Sequence, residues 1–311
     1  MRKATLLYNP FSGGRPKQRI KDIESAAKIL TDAGVQVVLE ATREKSAVVQ
    51  QVCEARAGGC DVVFACGGDG TIHDVLQGLV GTDIALGIIP LGTANTLAHD
   101  LGIPRSPVGA AKMALRSQPK RIAVGVVEYK NNDGQSVVKY FTVALGIGMD
   151  AHLFYKLNPG VKRRLGVSAY YAMAWHLWFS RRIEYFVATC DHRPEQYLLT
   201  QLLAVRIRNF GGVLRELAPG ASLDRNDLRL VLCQTHKRLA FLSYVFRGML
   251  GANWRVSGIE LLNGSEVTCD YPSSSVDRKN KIYIEADGEL LGTLPAKVTV
   301  RPNALTLLVP S

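Results

Sequence analysis

No run of apolar residues in this chain reaches the 18 or so needed to cross a bilayer as a helix, so any membrane contact is expected to be peripheral. Arg2 and Lys3 open the chain, but the apolar stretch behind them, Ala4 to Tyr8, ends at Asn9-Pro10 and is too short for a signal-peptide core. The six cysteines (Cys53, Cys60, Cys66, Cys190, Cys233, Cys269) lie far apart, with no C-x-x-C pair and no histidine cluster. That argues against a disulfide framework and against a zinc site, and fits the cytosol. His73, His99, His152, His176, His192 and His236 are scattered, and none is assigned a catalytic role. There is no P-loop lysine motif, no internal repeat, no low-complexity linker and no aromatic-basic signature of an RNA-binding module. Acidic residues are the scarcer sign, 27 against 38 Lys and Arg, and the net charge of +11 suits a negatively charged partner. Nucleic acid would rest on that charge alone, so it is not the partner expected.

What is present is enough apolar material for two cores: 311 residues, 47% of them hydrophobic. The most informative stretch is Asp61 to Leu79. Val62 to Cys66 is apolar throughout, as a strand covered on both faces is, and Ile72, Val75, Leu76 and Leu79 recur at helical spacing. Gly67, Gly68, Asp69, Gly70 and Thr71 therefore form a strand-to-helix turn. Glycine allows close backbone approach, and the N–H groups of a helix start favour phosphate oxygens.

Around that turn, strand and helix alternate. Ala4 to Tyr8 reads as a strand, followed by the turn N-P-F-S-G-G and a helix through Ile20, Ile23, Ala27 and Leu30 that Gly34 ends. Val35 to Leu39 and Ile84 to Pro90 read as strands; Ala47 to Ala55 and Val108 to Leu115 read as helices. This predicts a doubly wound parallel sheet with ligands at the carboxyl ends of its strands, where Asn9 to Gly14, Gly67 to Thr71 and Leu91 to Asn95 fall. From about Arg121 the pattern changes. Val124 to Tyr129 and Val137 to Leu145 flank the turn Asn131-Asn132-Asp133-Gly134, a hairpin signal. Further strands are expected at Ile183 to Cys190, Leu198 to Ile207, Leu228 to Cys233, Ile282 to Ala286, Lys297 to Val300 and Leu305 to Val309. Helical segments are expected at about Gly166 to Phe179 and Leu239 to Met249. The expectation is an α/β domain over 1–122, then an antiparallel β-sandwich domain over 123–311, with the site in a cleft between them.

These motifs, in this order, resemble the bacterial diacylglycerol kinase and lipid kinase family, which shares its catalytic domain with sphingosine kinases. The carriers are N-P-F-S-G-G at Asn9 to Gly14, Thr42 after the second strand, G-G-D-G-T at Gly67 to Thr71, P-L-G-T-A-N at Pro90 to Asn95, G-I-G-M-D-A at Gly146 to Ala151 and A-D-G-E at Ala286 to Glu289. The resemblance covers nearly the whole chain. It implies an ATP-dependent, Mg²⁺-requiring kinase acting on diacylglycerol or a related lipid alcohol at the cytoplasmic face of the membrane. A kinase of a soluble alcohol, resembling NAD kinases, and a nucleotide-binding regulator without catalysis are the alternatives.

The residue chemistry agrees with phosphoryl transfer, in which a protein mainly positions groups and neutralises charge. Asp69 is a candidate to hold Mg²⁺ on the nucleotide phosphates. Asn9, Ser12, Gly13 and Gly14 offer an amide, a hydroxyl and backbone donors on one side; Gly92, Thr93 and Asn95 do so on the other, and Arg15 and Lys17 can add cations. Taken alone, Asn9 to Gly14 also reads as an ordinary helix-entry turn. The resemblance adds Thr42 to the nucleotide site, and ties Asp224 and Asp227 to a structural magnesium. It also implies that a carboxylate of the Asp287-Gly288-Glu289 turn takes the proton of the acceptor hydroxyl, Asp287 being preferred to Glu289; without it, that turn reads as a simple hairpin.

Three departures thin the acidic network. Thr96 and Ala123 stand where the family often has Asp, and Asn226 and Arg229 are at less typical places near Asp224 and Asp227. Asp100, one helical turn beyond Thr96, can restore part of it. Lys162-Arg163-Arg164, the aromatic stretch after them and Arg181-Arg182 read either as a lipid channel or membrane-surface element, or as a buried core helix. A peripheral contact with anionic membrane and a homodimer are the assemblies expected.

Overall fold

Val62–Gly67 and Ala85–Pro90 are buried along their whole length, and both are interior strands of a parallel sheet. They belong to a computed structural model that describes residues 1–12, 16–131, 133–148, 183–191, 194–211, 217–237, 239–240, 243–244, 246–247, 256–273 and 281–310. The expected helix at Gly166 to Phe179 and the basic stretches beside it lie outside the described residues, as do Gly13, Gly14 and Arg15. The chain forms two units: Met1–Val124 with Asn209–Gly212 and Arg301–Ser311, and Gly125–Arg208 with Val213–Val300. The last segment of the chain therefore returns to the first unit.

The first unit runs β1 (Lys3–Tyr8), α1 (Pro16–Asp32), β2 (Gln36–Ala41), α2 (Val48–Ala57), β3 (Val62–Gly67), α3 (Asp69–Leu79), β4 (Ala85–Pro90), a short α4 (Thr96–Asp100) and α5 (Pro107–Ala114). β1 pairs in parallel with β2 on one side and β3 on the other, and β3 pairs with β4. Thr306 and Leu307, near the chain's end, add a parallel strand beyond β4. Leu6, Phe64 and Ile89 from the strands meet Ala26, Leu30 and Ala111 from α1 and α5 in one core. Gly34, with φ of 84°, ends the first crossover in the left-handed conformation glycine tolerates best.

In the second unit the strands are antiparallel: β5 (Gln118–Lys130, begun in the first unit), β6 (Ser136–Phe141), β7 (Ala144–Gly148), β8 (Phe186–Cys190), β9 (Gln196–Leu199), β10 (Gln201–Val205), β11 (Leu228–Cys233), β12 (Ile259–Gly264), β13 (Glu266–Asp270), β14 (Tyr283–Ala286) and the long β15 (Glu289–Val309). One layer is ordered β12-β11-β10-β7-β14, and the other links β9, β8, β13 and part of β15. Leu145, Ile147, Leu202, Leu230 and Ile284 from the first meet Phe186, Ala188, Val267, Cys269 and Val298 from the second. Two apolar faces closing on each other make the expected β-sandwich. The described residues of the expected helix after Leu239 are helical, and Tyr244 there is buried with its hydroxyl bonded to the Leu217 carbonyl.

Four details differ from the sequence reading. Val137 to Leu145 is two strands, interrupted at Thr142 and Val143, and Leu198 to Ile207 is broken at Thr200, whose hydroxyl bonds the Cys233 and Thr235 carbonyls. Lys297 to Val300 and Leu305 to Val309 are one continuous strand. β12 and β13 were not expected; β13 alternates buried Val267 and Cys269 with exposed Thr268 and Asp270, and β12 is mostly partly exposed, so neither carries a continuous apolar signal.

Candidate active site

In the first unit the chain leaves β1 toward β2 and returns on the opposite side as β3, so the sheet reverses direction between β1 and β3. The crevice outside the strand ends at such a reversal is where α/β sheets bind ligands. Asn9 and Gly67 to Thr71 follow these two strands. The Asn9 N–H donates to the Cys66 carbonyl at 3.0 Å, its side-chain oxygen accepts the Phe11 N–H at 2.8 Å, and its Nδ2 lies 3.4 Å from the Thr71 hydroxyl. The buried Arg19 guanidinium donates to the Pro10 carbonyl and fixes the turn from behind. Ser12 N–H bonds the Asn9 carbonyl at 3.2 Å, and Thr42 N–H bonds the Tyr8 carbonyl at 2.8 Å at the same sheet edge.

The two glycine turns are locked together. A side chain on Gly92 would put Cβ 2.5 Å from the Gly68 Cα, so glycine is needed for this approach, and Leu91 N–H reaches the Gly67 carbonyl at 2.8 Å. Asn95 adopts φ of 51° and closes its own loop, accepting from Gly92 N–H at 3.0 Å and donating to the Gly92 carbonyl at 2.7 Å. Asp69, the first residue of α3, holds the second turn by its carboxylate: one oxygen accepts the Asn95 N–H at 3.0 Å, the other the Thr96 N–H at 2.6 Å. Asn9, Ser12, Thr42, Gly67, Gly68, Asp69, Gly70, Thr71, Gly92, Thr93 and Asn95 thus all lie at one edge of one sheet.

The departures acquire a local meaning. Thr96 contributes its backbone N–H to Asp69, a bond that any residue but proline can make. Ala123 is buried in β5. Asp100 accepts the Asn209 N–H at 2.7 Å, and Gly211 sits against the His99 ring, so the Asn209–Gly212 segment is fastened to α4.

In the second unit Asp287 is buried, with φ of 51°. Its carboxylate accepts the N–H groups of Thr142 at 3.0 Å, Val143 at 2.8 Å and Ala144 at 3.2 Å, and the Thr142 hydroxyl lies at 3.4 Å. Those amides point at Asp287 and so leave the ladder, which is why β6 and β7 separate there. Glu289, at the start of β15, is half-buried. Sequence reasoning missed Glu285, a buried carboxylate in an apolar strand that accepts the Gly288 N–H at 3.1 Å and steadies the same turn. Its signal was a lone acid inside I-Y-I-E-A.

Asp224 is exposed, and the Asp227 carboxylate is gripped by Arg225 through two bonds of 2.6 and 2.5 Å. That pairing holds the Arg225 guanidinium in its charged form, raising its pKa. Among the described residues no group of three or more His, Cys, Asp or Glu assembles to hold a metal.

Residues 3–127 match the diacylglycerol kinase catalytic domain, and residues 144–309 match the YegS C-terminal NAD kinase beta sandwich-like domain. The chain belongs to the diacylglycerol kinase family of lipid kinases. A family member named diacylglycerol kinase from Mycobacterium tuberculosis is 28% identical over 309 residues, spanning 99% of this chain and 95% of the relative. The diacylglycerol kinase of Bacillus subtilis is 28% identical over 300 residues, with 96% and 93% covered. A crystal structure of a diacylglycerol kinase from Bacillus anthracis has the same fold, with a TM-score of 0.70 at 18% identity over 99% of this chain and 97% of that one. The yeast NADH kinase complexed with NADH shares the fold more distantly, with a TM-score of 0.53 at 11% identity over 100% of this chain and 84% of that one. For a lipid kinase of this family, the turns at β1, β3 and β4 are the motif-bearing part of the first unit. Among the described residues, no helix is long and apolar enough to cross a membrane.

Proposed function

We propose that this chain transfers the γ-phosphate of ATP to the hydroxyl of diacylglycerol or a related lipid alcohol. The observation that carries the reading is the Asp69 carboxylate, which joins the G-G-D-G-T turn to the loop of Gly92 and Asn95 at the reversal point of a parallel sheet. Backbone N–H groups and small side chains converge there, and no bulky side chain separates Gly68 from Gly92. Such an edge suits a chain of phosphates.

Asp69 also fits Mg²⁺. As a carboxylate on a glycine-flanked turn it is a hard oxygen donor, and magnesium takes one or two carboxylates while retaining water and phosphate oxygens. When bound, the ion supplies positive charge to the nucleotide phosphates. Asn9, Ser12, Thr42, Thr71, Gly92, Thr93 and Asn95 hold and orient those phosphates, with Gly13 and Gly14 as further donors.

In the transfer, the lipid oxygen bonds to the γ-phosphorus, the bridging oxygen leaves with ADP, and the hydroxyl proton passes to a carboxylate. As the base, Glu289 is preferred to Asp287. Asp287 has at least three N–H donors on its two oxygens and is needed to keep the turn, whereas Glu289 is half-buried at the turn's edge. The two-domain division at about residue 122, peripheral contact with an anionic cytoplasmic membrane face, and a homodimer remain parts of this proposal. The test is labelled-phosphate transfer from ATP to a panel of dispersed lipid alcohols, beside NAD and soluble alcohols. Labelling of a lipid alone is expected; labelling of NAD or a soluble alcohol alone would establish the other kinase reading, and labelling of nothing would leave a nucleotide-binding regulator.

A further inference from the structure

The segment from Ala218 to Leu228 is where the family resemblance puts a structural magnesium, held through Asp224 and Asp227. In this chain several of its carbonyls and the Asp227 carboxylate are already engaged. Arg206 is fully buried, and its Nη1 donates to the carbonyls of Arg225 at 2.8 Å and Asp227 at 2.6 Å, while its Nη2 lies 3.4 Å from the Leu223 carbonyl. Both oxygens of the Asp227 carboxylate are bonded to Arg225. Arg229 closes the same loop from Nε to the Pro219 carbonyl at 2.7 Å, and its Nη1 reaches the Asn263 side-chain oxygen at 2.9 Å.

A divalent cation orders a loop of this kind by drawing carbonyl and carboxylate oxygens to one point. A guanidinium can do the same work with planar, fixed N–H donors. We propose that Arg206 is the internal cation of the 218–228 loop: its guanidinium takes the carbonyl oxygens a metal would collect, so the loop closes without a divalent ion. Arginine carries its charge at neutral pH. The Arg206 N–H also donates to the Val143 carbonyl at 2.9 Å, and the Val143 N–H donates to Asp287 at 2.8 Å. One residue therefore fastens both the loop and the backbone that holds the Asp287-Gly288-Glu289 turn.

The inference goes beyond the phosphoryl-transfer reading, and its test uses neither substrate nor nucleotide. Thermal unfolding of the full chain is followed in EDTA and in millimolar Mg²⁺ or Ca²⁺, for the wild type and for Arg206→Met, Arg206→Lys, Asp227→Asn and Asp69→Asn. The wild-type midpoint is expected to be the same in EDTA and in metal, or to rise with metal only in a way that Asp69→Asn abolishes and Asp227→Asn retains. Arg206→Met is expected to lower the midpoint by roughly 5 to 10 °C through orphaned carbonyls, with Arg206→Lys recovering part of the loss. A metal-induced rise in the wild type that disappears in Asp227→Asn would overturn the proposal, and so would an Arg206→Met protein as stable as the wild type. If Arg206→Met does not fold, the wild-type and Asp227→Asn metal responses still decide.

Discussion

The Asp69 carboxylate accepts the backbone N–H of Thr96 at 2.6 Å, and this bond ties the start of α3 to the start of α4. The same carboxylate reaches Asn95 N–H at 3.0 Å, so a residue expected to meet a metal and phosphates also holds the loop of Gly92 and Asn95.

Replacing Asp69 with alanine should therefore cost stability as well as activity. Two charge-assisted hydrogen bonds at a half-buried position are worth about 2 kcal/mol together, and the loop of Gly92 and Asn95 should loosen. Denaturant unfolding of Asp69→Ala checks this. An unfolding midpoint equal to the wild type's would mean that the two N–H bonds contribute nothing in solution.

The two acids of the Asp-Gly-Glu turn should part company on substitution. Glu289→Gln is expected to cut turnover by roughly 10²- to 10⁴-fold, the usual worth of a general base, with little change in melting temperature or ATP affinity. Asp287→Asn should lower the melting temperature, because its amide nitrogen would face an N–H group now bonded to a carboxylate oxygen. Paired measurements of turnover and melting separate the roles. A stable Asp287→Asn protein that has lost turnover, beside a fully active Glu289→Gln, would return the base to Asp287.

Much of the first unit was legible because its signals are local. Val62 to Cys66 has no polar residue, the glycines after it admit few conformations, and the spacing of Ile72 to Leu79 is helical. What escaped was set by distant partners. Nothing within Val137 to Leu145 says that the strand breaks; the break comes from the Asp287 carboxylate, 145 residues from Thr142. The A-V-R-I-R-N stretch likewise does not disclose which arginine is buried, because the carbonyls that receive Arg206 belong to residues 223 to 227. Asp224 and Asp227 were tied to a magnesium by the family resemblance alone, and the sequence does not disclose that the arginine between them pairs with Asp227.

Acid should test the join between β1 and β3. The N–H groups of Arg2 and Lys3 bond the Asp61 carboxylate at 2.5 and 3.0 Å and hold its pKa below the ordinary 3.8. Because the folded value is the lower one, the contribution is complete above the unfolded value and is lost as pH falls through the folded one. Asp61→Asn should cost less than about 1 kcal/mol at neutral pH, since the side chain is partly exposed, and the gap should narrow below about pH 4. Unfolding curves across that range check it, and a gap constant with pH would contradict it.

Binding to anionic vesicles should weaken as salt rises, because exposed charges are screened over about 10 Å at 0.1 M salt. Neutralising Lys162, Arg163 and Arg164 together should weaken it further, and neutral vesicles should bind poorly. Co-sedimentation with the two vesicle types reads this directly. Equal binding to both, or no loss in the triple variant, would make the basic stretch an ordinary solvated face.

The most direct test of the phosphoryl-transfer reading is the initial rate of label transfer from γ-labelled ATP to diacylglycerol dispersed in anionic lipid, compared between the wild type and Asp69→Ala with Mg²⁺ at saturation. The wild type should form labelled phosphatidic acid, and Asp69→Ala should lose at least about 10²-fold in rate while remaining folded, as expected when an electrostatic positioning group is removed. A folded Asp69→Ala protein with near wild-type turnover would contradict the assignment of the G-G-D-G-T turn to the phosphates.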